Sequence, residues 1–461
     1  MTNENVKGLI PSLQDGLPIP KRYWAVIAIG VGISLSVIDG TITNVALPDI
    51  AKDLGVSSTT IIWVINAYQL AFTISILPLS ALGDKYGYRK IFTWGLALFS
   101  ITSVACFMSD SFSTLTFARS LQGIGAAALS SVSSALLKIT YPKGELAKGM
   151  GLNALFVAVS LAAGPTIGGS ILAVASWHWI FVLNIPLGVI AFCIAWFSVP
   201  DNPEQSSDMK IDAYSCILNA LTFGLLVFAM DGIAHKEHWS LLAALGFGFV
   251  VVTYIYIKKE LASPDPLLPV DLMKIRDFSV SIGTSIIAYT AATLPIIVLP
   301  FFLQDELKLS AFETGLLMVP WPVGVMITSP IAGKVTEWIS LKSTSLIGLS
   351  LIAVGIFSLI FLPQHPSDMD LIWRLFLCGV GFGFFKTPNN SMIMGSVPEE
   401  RNGSASGMLA MARLIGQTVG AAMVAIVFTL ASNNSTTVSM IVSFVILIFA
   451  ILVGSLAKTD K

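Results

Sequence analysis

The chain has 461 residues, of which 55% are apolar and only 11% charged, with a net charge of −1 and a mean hydropathy of +0.81. Soluble domains carry roughly 25% charged residues, so the composition excludes a soluble enzyme and indicates an all-α polytopic membrane protein. The balanced charge argues against a nucleic-acid partner, and the four cysteines (Cys106, Cys193, Cys216, Cys378) lie in apolar runs with no CxxC pair, which argues against disulfides and a metal site.

The polar first twenty or so residues are followed by an apolar run with no A-x-A cleavage pattern, so that run reads as a retained helix. A helix needs about 20 mostly apolar residues to cross a bilayer. Fourteen stretches qualify: about 23–47, 58–82, 91–109, 112–138, 149–175, 178–199, 213–233, 239–257, 279–303, 312–334, 343–362, 369–396, 406–431 and 436–457. Polar links run from Asp201 to Asp212 and from Lys258 to Asp277. With the N-terminus inside, only Lys52, Lys236 and Lys308 of the 26 basic residues fall in outer loops, and Arg119, Arg374, Lys386 and Arg413 fall within spans. The rest, including Lys85, Arg89, Lys90, Lys143 and Arg401, are on the inner side, as the positive-inside rule requires. Both termini are therefore expected in the cytoplasm, and the chain in a bacterial cytoplasmic (inner) membrane.

In the first span, Asp39 is the one charge between Tyr23 and Leu47. A carboxylate there costs about 3 kcal/mol on the lenient insertion scale and marks an ion or substrate path. Thr43 shares its face, and Asn66, Gln69 and Thr73 form a polar stripe on the second span. Between spans two and three lies GDKYGYRK: Gly83 and Gly87 permit a tight turn, Asp84 can meet a helix N-terminus or an arginine, and Arg89 and Lys90 hold the inner face. Arg119 in RSLQGIGAA stays charged and must find an acid, a carbonyl or water. In the fifth span, GPTIGG gives a bare face of Gly164, Gly168 and Gly169, while Pro165 removes a hydrogen bond and can kink the helix. Asp231 closes the seventh span, with His235 and His238 in the loop beyond. In the last six spans, Lys386, Asn389, Asn390, Arg413 and Gln417 are the polar candidates for a cavity, and Tyr289, Trp321, Phe384 and Phe385 the aromatic ones. No GxxxxGK[ST], HExxH or GxSxG pattern occurs, which argues against ATP drive and against an enzyme.

The two ends of the chain repeat. At an offset of 256 residues, Gly123 aligns with Gly379, Gly125 with Gly381, Pro142 with Pro398, Gly151 with Gly407 and Gly164 with Gly420. Residues 1–200 and 279–461 therefore read as two six-helix bundles, with 201–278 a linker carrying two inserted helices. Parallel repeats of this kind describe the halves of a major facilitator transporter.

The motifs carry the same likeness. GDKYGYRK, RSLQGIGAA, GPTIGG and IDGTITNVALPDI resemble signatures of the major facilitator superfamily, and within it of the fourteen-helix drug:proton antiporters. The resemblance implies a major facilitator fold and export of small amphipathic compounds in exchange for protons, with no cofactor and a functional monomer in membrane lipid. It implies proton coupling through Asp39 and Arg119, and an inner-loop latch at Gly83–Lys90 that holds the halves in the outward-open state. Asp39 reads either as the proton carrier or as a fixed partner of Arg119. Lys386 disfavours a purely cationic substrate. A dedicated exporter of one metabolite, and a non-transporting receptor or assembly factor, are the other readings.

Overall fold

A computed structural model describes residues 16–142, 145–201, 212–263, 266–363, 366–398, 401–431 and 434–458; Lys143 and most of the first polar link lie outside them. Among the described residues there are fourteen long helices. The first eight are α1 (Lys21–Asp53), α2 (Ser58–Tyr86), α3 (Tyr88–Phe107), α4 (Phe112–Thr140), α5 (Leu146–Val174), α6 (Trp179–Ser198), α7 (Ala213–Ala234) and α8 (Trp239–Ala262). The last six are α9 (Arg276–Glu306), α10 (Ala311–Val335), α11 (Leu341–Ile360), α12 (Asp368–Gly395), α13 (Asn402–Leu430) and α14 (Ser435–Ser455). Thirteen are long and apolar enough to cross a membrane by themselves. The fourteenth, α12, has 28 residues, and Arg374, Lys386, Asn389 and Asn390 dilute its apolar run. Serines start several helices at the short loops: Ser57, Ser111 and Ser340 each accept from a backbone N–H three residues on, and Ser310 and Ser367 form capping boxes with Glu313 and Asp370.

Packing repeats between the ends of the chain. A Cβ on Gly123 of α4 would lie 2.3 Å from the Tyr68 carbonyl oxygen of α2, and one on Gly379 of α12 would lie 2.0 Å from that of Trp321 of α10. Gly125 packs on Gly95 and Phe99 of α3, as Gly381 packs on Gly348 and Ile352 of α11. Gly164 of α5 meets Thr41 of α1, as Gly420 of α13 meets Thr290 and Thr293 of α9. Each pair lets two backbones approach more closely than any side chain allows, which drives helix association where lipid removes the hydrophobic incentive.

The inserted α7 packs against α2, α13 and α8, whereas α8 packs mainly on α7 and is otherwise largely exposed. Polar bonds hold α7. The Asn219 amide donates to the Ile74 carbonyl at 3.0 Å, and the Trp63 indole N–H donates to Asp231, which also faces His235 at 3.1 Å. Asp231 is thus a tether at the end of the bundle, away from its centre. Trp63→Phe keeps the ring contact with Phe228 but removes that bond. We expect it to cost roughly 1–2 kcal/mol, read as a lower melting temperature in detergent, with transport rates unchanged.

Candidate functional site

The centre of the N-terminal six helices holds a buried ion pair. Asp39 and Arg119 are 3% and 1% exposed, and the Arg119 guanidinium donates to Asp39 Oδ2. Two further amides complete the arrangement. Gln122 Nε2 and Asn184 Nδ2 donate to Asp39 Oδ1 at 3.2 and 2.8 Å. Gln122 is otherwise fully used: its Oε1 accepts from Arg119 at 2.6 Å, and its Nε2 also donates to Ser103 Oγ at 2.9 Å. Arg119 Nε donates to the Val64 carbonyl at 3.4 Å, and its plane lies 4.2 Å from the centre of the Tyr68 ring. Helices α1, α3 and α6 each contribute one of these groups, and α2 and α4 two each.

Every group that hydrogen-bonds the carboxyl of Asp39 is a donor. An ionised carboxylate is acceptor-only and fits this set; a protonated carboxyl would point its O–H at one of these donors. Protonation therefore removes the charge that holds Arg119 and weakens that contact, although the acid form keeps an oxygen that can accept. Thr43, which shares the Asp39 face, bonds its hydroxyl to the Asp39 backbone carbonyl at 2.7 Å and is buried.

A second polar group lies across the midline. Lys386 and Asn390 on α12 and Arg413 and Gln417 on α13 are half-buried. Arg413 is within electrostatic reach of Lys386 and of Tyr289 on α9. It also reaches Tyr68 on α2. Tyr68 thus lies against Arg119 and within the electrostatic field of Arg413. Asn389 is buried and used within the C-terminal helices, donating to Ser285 Oγ at 2.7 Å and the Ser281 carbonyl at 3.3 Å. On α2, Asn66 is buried and Gln69 half-buried, and the amide oxygens of both lack a partner among the described residues.

The halves touch most closely at the end poor in basic residues. There Gln304 Nε2 donates to the Val45 carbonyl at 2.8 Å, Thr59 meets Thr429 at 3.2 Å, and Lys52 pairs with Asp305 at 2.9 Å. A Cβ on Gly169 would lie 2.6 Å from the Ala311 carbonyl oxygen, and one on Gly315 would lie 2.3 Å from that of Pro165. Gly168 packs on Ile42 of α1. The GPTIGG segment thus meets α1 through one set of glycines and α10 of the other half through another. Further along α5 an apolar crevice of about 380 Å³ opens, lined by Val159, Ala162, Ala163, Thr166, Ile167 and Met326.

At the basic end, GDKYGYRK makes its described polar contacts with the N-terminal helices and the first residue of the polar link. Gly83 packs on Val132, and Gly87 turns the chain at φ +107°. Asp84 accepts from the Tyr88 hydroxyl. Arg89 donates to Asp201 at 3.0 Å and to the Trp196 carbonyl, and Lys90 is exposed. Among the described residues, the ion pair that joins the halves is Lys52–Asp305. The inner-loop contacts therefore differ from the cross-half latch that the resemblance implies for an outward-open state, as expected of a molecule closed at its other end.

Two bundles that repeat each other's glycine contacts and meet closely at one end are the architecture of a multi-pass membrane transporter. The chain belongs to the Major Facilitator Superfamily, whose model matches residues 29–421 and again 280–460. It is similar to the uncharacterized transporter YebQ of Escherichia coli, at 47% identity over 98% of this chain and 99% of that one. It is also similar to the riboflavin transporter RibZ of Clostridioides difficile, at 29% identity over 96% and 99%. The multidrug resistance protein Stp of Mycobacterium tuberculosis is 30% identical over 87% of this chain and 75% of that one.

Proposed function

We propose that the protein exports small amphipathic compounds across a bacterial cytoplasmic membrane in exchange for protons, by alternating access between residues 1–200 and 279–461. The carrying observation is the carboxylate of Asp39, buried in the membrane and bonded by Arg119, Gln122 and Asn184. In this reading the basic end is cytoplasmic, and the structure is the inward-facing state. A proton reaching Asp39 from the far side weakens its hold on Arg119 and frees the guanidinium to move, because the acid form has lost the charge that strengthens the bond. Release of the proton inward lets Arg119 return.

The export direction rests on GPTIGG, which resembles the antiporter motif, and on the drug-resistance relative. The riboflavin relative supports the narrower reading, a carrier for a single metabolite. Vesicles whose acidic lumen faces the basic-poor end should accumulate a neutral amphipathic dye above the level of protein-free vesicles. They should release it when nigericin collapses the gradient. Dye levels indifferent to the gradient would remove the proton-driven reading, and dye expelled towards the basic end would reverse its direction.

A further inference from the structure

Lys386 and Arg413 sit on adjacent helices in the middle of the membrane, close enough for their like charges to repel. Neither forms an ion pair or a hydrogen bond with another described residue, and the Arg413 Nε is buried with no partner. The membrane-embedded acid, Asp39, is already bonded to Arg119, Gln122 and Asn184. Half-buried cations without counter-charges are rare inside a membrane and call for an anion from elsewhere. Facing groups suit such an anion's apolar body. Tyr289 and Tyr68 lie within electrostatic reach of Arg413, and their rings can pack against that body.

We propose that Lys386 and Arg413 form the anion-binding end of the substrate site, and that the exported compound is an amphipathic aromatic or aliphatic molecule bearing a carboxylate or similar anionic group. The proposal rests on the central face being the substrate site. An arginine accepts a planar carboxylate in two parallel bonds, and the nearby lysine adds a point charge that needs no fixed geometry. A cation placed between these two side chains meets repulsion from both, which selects against it by like-charge exclusion.

Binding to the purified full-length protein in neutral detergent tests this without any requirement for proton coupling. The probes are pyrenebutyrate, the neutral pyrenebutanol and the cationic pyrenemethylammonium, followed by fluorescence anisotropy. Wild type should bind the carboxylate at least about tenfold more tightly than the alcohol, and the ammonium most weakly. Lys386→Gln and Arg413→Gln should each shrink the preference for the carboxylate over the alcohol. The ranking in wild type is decisive even if a variant fails to fold. Ammonium binding equal to or tighter than carboxylate binding overturns the proposal, as does a carboxylate preference that survives both substitutions. Displacement by short-chain phosphatidylglycerol as effective as by the carboxylate would assign the site to a lipid headgroup and overturn it too. If the carboxylate preference holds but gradient-driven transport fails, the anion site stands and the antiport reading falls; gradient-driven transport of the ammonium alone does the reverse.

Discussion

Asp39→Asn should reduce transport driven by a pH gradient by more than about tenfold in reconstituted vesicles, because the amide keeps the shape of the side chain and removes its titration. It should also lower stability. Arg119 would remain 1% exposed with no counter-charge, and breaking a buried pair from one side costs about 3–5 kcal/mol. Arg119→Gln should cost a similar amount by stranding the carboxylate. The double variant Asp39→Asn/Arg119→Gln replaces both charges with amides that can bond each other, Gln122 and Asn184. It should recover most of the lost stability and none of the pH-driven transport. A double-mutant cycle on denaturant unfolding should therefore give an interaction energy of about 3 kcal/mol. Stability losses that simply add would show that the pair is not energetically coupled. Undiminished pH-driven transport in Asp39→Asn would place the proton elsewhere. The cycle separates the two sequence-level readings of Asp39, because a purely structural partner of Arg119 predicts that transport returns with stability in the double variant.

Much of this architecture was legible in the chain. The fourteen spans follow from run length and composition, which are local properties, and the repeat follows from glycines whose spacing is fixed by helix-on-helix contact. Asp39 and Arg119 stood out because charges inside a membrane are costly wherever they fall. Their partners did not stand out. Gln122 lies three residues beyond Arg119, a spacing that shares a helix face, so it was available as a signal. Asn184 is 145 residues from Asp39, and nothing local says that the start of α6 turns its amide towards α1. Asn389, beside Lys386 and Asn390, read as a cavity residue; its amide N–H groups go to Ser285 and Ser281 of α9, and its oxygen has no partner among the described residues. Sequence identifies which residues need partners; only the packing of separate helices decides which partners they obtain.

The glycines separate the strength of a bundle from the balance between its two conformations. Gly164→Ala places a methyl 1.8 Å from Thr41 Oγ1 and 2.8 Å from its Cβ, so rotating the threonine does not relieve the clash. That contact lies within the N-terminal helices and persists in both conformations, so the variant should melt lower without favouring either state. Gly315→Ala acts across the halves, with its methyl 2.3 Å from the Pro165 carbonyl oxygen. The strain exists only while the basic-poor end is closed. Overpacking of this size costs about 1–3 kcal/mol, which moves a two-state balance by about 5- to 150-fold. The expected result is opening at that end, with slower turnover because the closed state is visited less often. A cysteine introduced at Ala46, which is buried in the apolar cluster joining the halves, reports the opening through its reaction with a polar thiol reagent. The background must lack the exposed Cys193 and half-buried Cys216. Faster labelling in Gly315→Ala than in Gly164→Ala supports a hinge seam between α5 and α10. Equal labelling in the two would mean that the close approach is ordinary packing, and alternation would then have to turn on another contact.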